Sequence, residues 1–326
     1  MTYLPPDGKR PIDFVKDEYA FETYGLPPPP DANKNPKSYA LWRRAMCLPL
    51  DYCTEEPTEK KDDSVSLEKL SWSGAMAQSP ANESFGNIAG SWIVPNAYPP
   101  PKITRDDTYE CFTWVGFDGT STAPYAVMLG TISEVVKSGK NLTQSATVFF
   151  QQNDKMQLFP EFKVSPGDLI TGHVWRGVMI VFEDNKDAFP PRPTPPFKFP
   201  PFKFIPVLRI CVVNHGSRKA LIRCFELPDD FKGETAEWIV GRKRPTVKVS
   251  DDGDVTVTVE DLPNYGATFI HNTYALTRGG GTVEEFTVDD SVLINMKNSD
   301  KDGTIISTAL RPISNVLEVY AYDDES

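Results

Sequence analysis

The sequence predicts an antiparallel β-sandwich, and three observations predict it. From Leu70 onward, short apolar or alternating runs recur between clusters of Gly, Pro, Asn and Asp, at the roughly 8–15-residue spacing of strands joined by turns. Val255–Val259 and Ala267–Ile270 alternate apolar and polar residues, as half-buried strands do. Helical periodicity is almost absent from the same region. The 326 residues hold one large all-β domain or two smaller ones. We read an extension over 1–69 and a sandwich domain over 70–326.

In chain order, the extension is rich in proline and charge, with Pro27–Pro30 as a polyproline II run. Only Ser38–Leu48, carrying Tyr39, Leu41, Trp42 and Met46, has the pattern of a short helix. Thr54–Ser64 reads as a charged linker. Whether the extension packs on the body through Phe21, Tyr24 and Trp42 or moves freely is left open. Strands are expected at Gly90–Val94, Cys111–Phe117, Tyr125–Leu129, Thr147–Gln151, Leu169–Trp175, Val178–Phe182, Pro206–Val213 and Ala220–Phe225. Others follow at Thr246–Val249, Val255–Val259, Ala267–Ile270, Glu284–Val288, Val292–Met296 and Val316–Tyr322. Phe189–Pro206 alternates prolines with aromatics, and because proline removes ladder donors it is expected as a stiff surface loop. Its Phe197, Phe199, Phe202 and Phe204 either cap a groove or pack on the flank of their own domain.

Composition excludes several functions. The net charge of −11 gives no electrostatic footprint for nucleic acid or an anionic membrane, and there is no apolar run long enough to cross a bilayer. The N-terminus has no basic stretch followed by an apolar one, so a cytoplasmic protein is expected. The five cysteines show no metal-ligand spacing; Cys211 and Cys224 flank a turn and are either buried thiols or a hairpin disulfide. The three histidines, His173, His215 and His271, are scattered, and neither a metal nor a cofactor is expected. Nucleophile-elbow, P-loop, zincin and dinucleotide fingerprints are absent.

Glu237 is the residue of most chemical interest. It sits beside Trp238 inside the apolar run Ala236–Val240. Partial loss of water should raise the pKa of such a carboxyl toward the range where it both gives and takes a proton. The alternative is an edge-strand glutamate facing solvent beside a core tryptophan.

Six segments in register resemble the glutamic peptidases, the eqolisin family. Ser71–Ala75 (Ser-Trp-Ser-Gly-Ala) resembles the N-W-A-G-A opening, and Gly90–Pro95 resembles G-x-W-x-V-P. Trp114–Gly119 (Trp-Val-Gly-Phe-Asp-Gly) is similar to W-V-G-I-D-G, and Ser165–Asp168 to the loop before a core strand. Ala236–Val240 resembles the start of A-E-W-I-V-E, and Leu262–Gly266 the L-P-x-F-G that follows. The resemblance spans roughly 70–322 and implies a concanavalin A-like β-sandwich (jelly roll) of the fungal acid endopeptidases. It also implies a glutamate, here Glu237, that activates water as general base and then protonates the leaving amine. The family's partner is a glutamine whose amide orients the water and the oxyanion; that position falls on Met128. A thioether has no N–H to donate. The second glutamate of A-E-W-I-V-E is replaced by Gly241.

Three functional readings follow. In the first, Glu237 is an acid/base group in an enzyme whose ordinary peptidase activity Met128 has weakened or removed, as in an isomerase or cyclase. In the second, peptide hydrolysis survives with Gln151 or Asp118 assisting Glu237; strand alternation lets only one of Gln151 and Gln152 share the cleft. In the third, the sandwich only binds a ligand or partner. Trp72, Trp114, Trp238 and Phe149 are the expected binding side chains, and the expected ligand is a peptide or a small apolar molecule.

Overall fold

The computed structural model describes residues 7–14, 24, 26–27, 29–54, 57–61, 71–100, 103–120, 123, 125–153, 155–182, 202–243, 246–249, 255–278, 283–298 and 304–321. Among the described residues, a 3-10 turn (Pro11–Phe14) and the α-helix α1 (Pro36–Met46) precede the strands. The strands are β1 (Asp51–Cys53), β2 (Thr58–Lys61), β3 (Trp72–Gln78), β4 (Ser84–Ile93), β5 (Asp107–Phe117), β6 (Val127–Ser138) and β7 (Asn141–Gln152). They continue as β8 (Lys155–Val164), β9 (Leu169–Phe182), β10 (Phe202–Asn214), β11 (Lys219–Glu226), β12 (Thr235–Gly241), β13 (Thr246–Val249) and β14 (Val255–Thr258). The last are β15 (Ala267–Arg278), β16 (Glu285–Phe286), β17 (Val292–Ile294), β18 (Met296–Lys297), β19 (Ile305–Ile313) and β20 (Val316–Ala321).

These strands form the expected sandwich. The front sheet has eight strands in the order β17-β3-β12-β5-β6-β7-β8-β2. The back sheet has ten, β1-β11-β10-β9-β4-β15-β20-β19-β18, with β16 on β15. The hairpin β13–β14 stands apart from both. Period-two alternation sends Val115 and Phe117 of β5, Leu129 of β6, Phe150 of β7 and Trp238 of β12 into the space between the sheets. There they meet Trp92, Val174, Leu208 and Ile270 of the back sheet. A buried indole N–H must find an acceptor, and two of them tie the sheets together. Trp92 Nε1 donates to Thr131 Oγ1 at 2.9 Å, and Trp238 Nε1 donates to the Ala89 carbonyl at 2.9 Å.

The extension is built into this body. Pro36 opens α1, where its missing N–H costs nothing. Trp42, Ala45 and Met46 share a buried face that packs on Trp175, Cys211 and Val213, on the side of the back sheet turned away from the core. Trp42 Nε1 donates to the Pro27 carbonyl. The stretch read as a charged linker contains β2, which pairs with β8 at the edge of the front sheet. β1 pairs parallel with β11 at the edge of the back sheet. A cut at residue 69 therefore removes an edge strand from each sheet. Phe21 lies outside the described residues.

The proline-aromatic insertion also departs from expectation. Phe197, Phe199 and the rest of 183–201 lie outside the described residues, but Phe202–Pro206 is strand, paired with β9 up to Phe182. Pro206 is tolerated because it lies just past the end of β11, whose last register pair is Val207↔Glu226. Its carbonyl still accepts from Leu227 N. Phe204 is exposed. All five cysteines are free: Cys211 faces Ile222 across the β10–β11 pair and Cys224 faces Arg209, so the two thiols are out of register for a bridge. No described helix is long and apolar enough to cross a membrane.

Candidate functional site

Pairing register assembles the site. Glu237 of β12 faces Met76 of β3 on one side and Gly116 of β5 on the other. Gly116 faces Met128 of β6, Met128 faces Gln151 of β7, and Gln151 faces Met156 of β8. Directly paired residues point to the same side of a sheet. Met76, Glu237, Met128, Gln151 and Met156 therefore form one row on the face of the front sheet turned away from the core. With strands about 4.8 Å apart, Met128 stands about 10 Å from Glu237 and Gln151 about 14 Å.

Gly116 lies between the glutamate and the methionine and leaves that interval without a side chain. It has to be glycine: a Cβ there would stand 2.2 Å from the Val127 carbonyl oxygen. Gly116→Ala is expected to destabilise the protein by about 3 kcal/mol, because the clash is with backbone and not with a movable side chain. A urea midpoint within error of wild type would contradict this.

The row two residues further along the strands is aromatic and aliphatic: Ile239, Trp114, Phe149 and Leu158. Trp72 meets Trp114 edge-on with centroids 5.6 Å apart, and Phe112 meets Phe149 in the same way at 5.4 Å. Trp114 explains why residue 241 carries no carboxylate. A Cβ on Gly241 would lie 2.8 Å from the Trp114 ring and 2.5 Å from the Ser71 carbonyl. Indole and side chain cannot both occupy that space.

Glu237 is fully buried, further from water than the half-dried state expected from sequence. Thr235, two residues earlier and on the same face, donates its hydroxyl to Glu237 Oε1 at 2.8 Å. That hydroxyl oxygen in turn accepts the backbone N–H of Asp118 at 3.1 Å. Asp118 closes the arrangement with its own carboxylate. Oδ2 accepts from Gly233 N at 2.7 Å, and Oδ1 accepts from Glu234 N at 2.7 Å and Thr235 N at 3.1 Å. The residue sits at φ 59°, a left-handed conformation that aspartate tolerates better than most residues. Burial raises the Asp118 pKa, and the surrounding backbone N–H groups pull against that rise.

Several expected site residues are placed differently. Trp238, expected beside Glu237 in a binding face, points into the inter-sheet core, because neighbours along a strand face opposite sides. Asp118 is buried and engaged by backbone donors, so it holds the loop before β12 in place and does not stand beside Glu237 as a second acid. Gln151 shares the face of Glu237, but its Nε2 donates to the Asn153 carbonyl at 2.7 Å in the β7–β8 turn. Gln152 points to the other side and donates to the Glu226 carbonyl. Trp72, Trp114, Phe149, Met128 and Glu237 do share one face. Thr235 was missed by sequence reasoning, although its two-residue offset from Glu237 on a strand is a signal for it.

No cluster of His, Cys, Asp and Glu suited to a metal occurs among the described residues. The three histidines lie together instead on the outer side of the back sheet. His173 is buried, with Nε2 2.5 Å from Asn87 Oδ1 and 3.2 Å from the Tyr274 hydroxyl. His215 Nε2 is 2.8 Å from Thr171 Oγ1.

Residues 70–176 match the Peptidase A4 family. That stretch carries Trp72, Trp114, Gly116, Met128, Phe149 and Gln151, while Glu237 lies beyond it. Among solved structures, the chain is similar to scytalido-glutamic peptidase bound to a transition-state analogue inhibitor, at 13% identity and a TM-score of 0.49, covering 81% of this chain and 100% of that one. It is also similar to SCP-B, a member of the eqolisin family in complex with the tripeptide Ala-Ile-His, at 12% identity and a TM-score of 0.46, covering 81% and 100%. Aspergilloglutamic peptidase from Aspergillus niger is similar at 16% identity and a TM-score of 0.39, covering 66% and 99%. No curated protein matches the chain. The match over 70–176, which holds Trp72, Trp114 and the Gly116–Met128 pair of the row just described, makes that stretch similar to the Peptidase A4 family, the glutamic peptidases.

Proposed function

We propose that Glu237 is the general acid/base of a glutamic-peptidase-type site whose ordinary peptidase activity is weakened or lost because Met128 stands where an amide is needed. One observation carries this reading: Glu237 and Met128 flank the side-chain-free Gly116 on a single register row. All three residues are buried in the structure, so a ligand that reaches Gly116 displaces what covers it and then has a carboxyl on one side and a thioether on the other. The thioether accepts weakly and donates nothing, so it neither orients water nor stabilises an oxyanion. The surrounding Trp114, Trp72 and Phe149 favour a peptide with apolar side chains or a small apolar molecule. Rescue by Gln151 or Asp118 has less support, since Gln151 donates to the Asn153 carbonyl and Asp118 is engaged by three backbone N–H groups.

The test is cleavage of casein and fluorogenic peptides from pH 2 to 8 by wild type, Glu237→Gln, Met128→Gln and the double variant. Wild type is expected to cleave weakly or not at all, and Met128→Gln to gain about 100-fold or more, the usual worth of an oxyanion donor. Adding Glu237→Gln should abolish that gain. Strong wild-type cleavage that survives Glu237→Gln would overturn the reading.

A further inference from the structure

We propose that Thr235 is a positioning residue for Glu237: its hydroxyl, oriented by the Asp118 backbone N–H, donates to Oε1 of the ionised carboxyl and fixes the rotamer from which Glu237 exchanges protons. This rests on the reading of Glu237 as the acid/base group. The direction of the chain follows for the ionised carboxyl, which can only accept. A backbone N–H can only donate, so the Asp118 N–H, 3.1 Å away, takes a lone pair of Thr235 Oγ1. The single hydroxyl proton of Thr235 then points to Glu237 Oε1 at 2.8 Å.

The donor is itself fixed from two sides. Asp118 gives its N–H to the Thr235 hydroxyl and takes the Thr235 N–H at Oδ1, so backbone and side chain of Thr235 are pinned by one residue 117 positions away. Thr235, Asp118 and Glu237 are all nearly inaccessible to water, at 1%, 0% and 0% exposure. In that setting no solvent molecule can replace a lost donor cheaply. A hydroxyl donated to a carboxylate favours its ionised form and fixes its orientation. Thr235 therefore holds the carboxyl at one rotamer and counteracts the effect of burial on its charge.

The readout is the Glu237 carboxyl itself, followed by infrared difference spectroscopy of protein labelled with 13C at glutamate side-chain carboxyls. Glu237→Gln identifies the band. In Thr235→Val, which keeps the shape of the side chain, the Glu237 midpoint is expected to rise by about one pH unit or more. Where the carboxyl stays protonated throughout, its C=O stretch is expected to move to higher frequency. Thr235→Ser should restore wild-type behaviour, which a packing role alone would not produce. The valine variant keeps the second bond of the Asp118 N–H, to the Thr235 carbonyl at 3.4 Å. Thr235→Ala is the substitute if valine does not fold. An unchanged midpoint and unchanged band in Thr235→Val or Thr235→Ala would overturn the proposal. None of this requires turnover, so a protein inactive on every peptide would defeat the proposed function while the spectra still decide the role of Thr235.

Discussion

Asp118→Ala is expected to cost about 4 kcal/mol of stability or more, the largest effect of any single substitution near the site. The alanine removes the acceptor for three backbone N–H groups, from Gly233, Glu234 and Thr235, in a region closed to water. Each buried donor left without a partner costs about 1–3 kcal/mol. The conformation adds to the loss, since φ at 118 is 59° and alanine is strained there. Asparagine should be intermediate, because its one amide oxygen can still serve Glu234 and Thr235 while its NH2 group opposes the Gly233 N–H. Urea denaturation of the three proteins measures the series. A loss below about 1 kcal/mol for alanine would mean that the loop before β12 is not held by this carboxylate. Because Thr235 belongs to the same clasp, the alanine variant should also disorder Glu237.

Acid is expected to loosen α1 from the back sheet well before it unfolds the sandwich. His173 sits under that helix, among Trp42, Leu41 and Met46 of the extension and Cys211 and Tyr274 of the sheet. Burial pushes its pKa down to about 3. Burial, with the nearby Arg44 and His271, pushes His215 down to about 4. His271 is lowered by burial and by Arg44. A histidine whose folded pKa lies below its unfolded value of about 6.5 is held neutral by the fold. Stability is then complete above pH 6.5 and falls as the unfolded state takes up protons first, at up to about 1.4 kcal/mol per pH unit for each histidine. The slope continues to about pH 4 for His215 and about pH 3 for His173. Half-exposed His215 and His271 contribute less than the full slope, because solvent reaches them. The lowered carboxylates Asp31 and Asp289 add their own loss only once the pH falls to the ordinary carboxylate value, so most of the histidine window lies above theirs and the two overlap at its acid end.

Hydrogen exchange across residues 36–53 at pH 7.5, 5.5 and 4 checks this. Protection should fall stepwise as pH drops while β5, β6 and β12 stay protected. His173→Asn, which cannot charge, should flatten the dependence. Protection in α1 that is the same at pH 4 as at pH 7.5 would refute it.

Much of the fold was legible because its signals are local. Alternation and Gly/Pro punctuation marked the strands, and the amphipathic pattern marked α1 within two residues at either end. The insertion was misjudged at Phe202–Pro206 because a proline was read without knowing where the neighbouring strand ends. Trp238 was misplaced for a different reason: adjacency in sequence was weighed over the alternation that sends adjacent strand residues to opposite faces.

By itself, the sequence determined the fold class, the family-like motifs and the two residue types on which the proposed function rests, a glutamate at 237 and a methionine at 128. Only the tertiary structure decided that these two stand in one row across Gly116, that Trp114 excludes a carboxylate at 241, and that Thr235 and Asp118 hold Glu237. The division has one physical cause. Residue type and strand periodicity are properties of short stretches of chain, whereas lateral register is set by pairing between strands far apart in sequence, such as β5 with β12, and no short stretch encodes its partner.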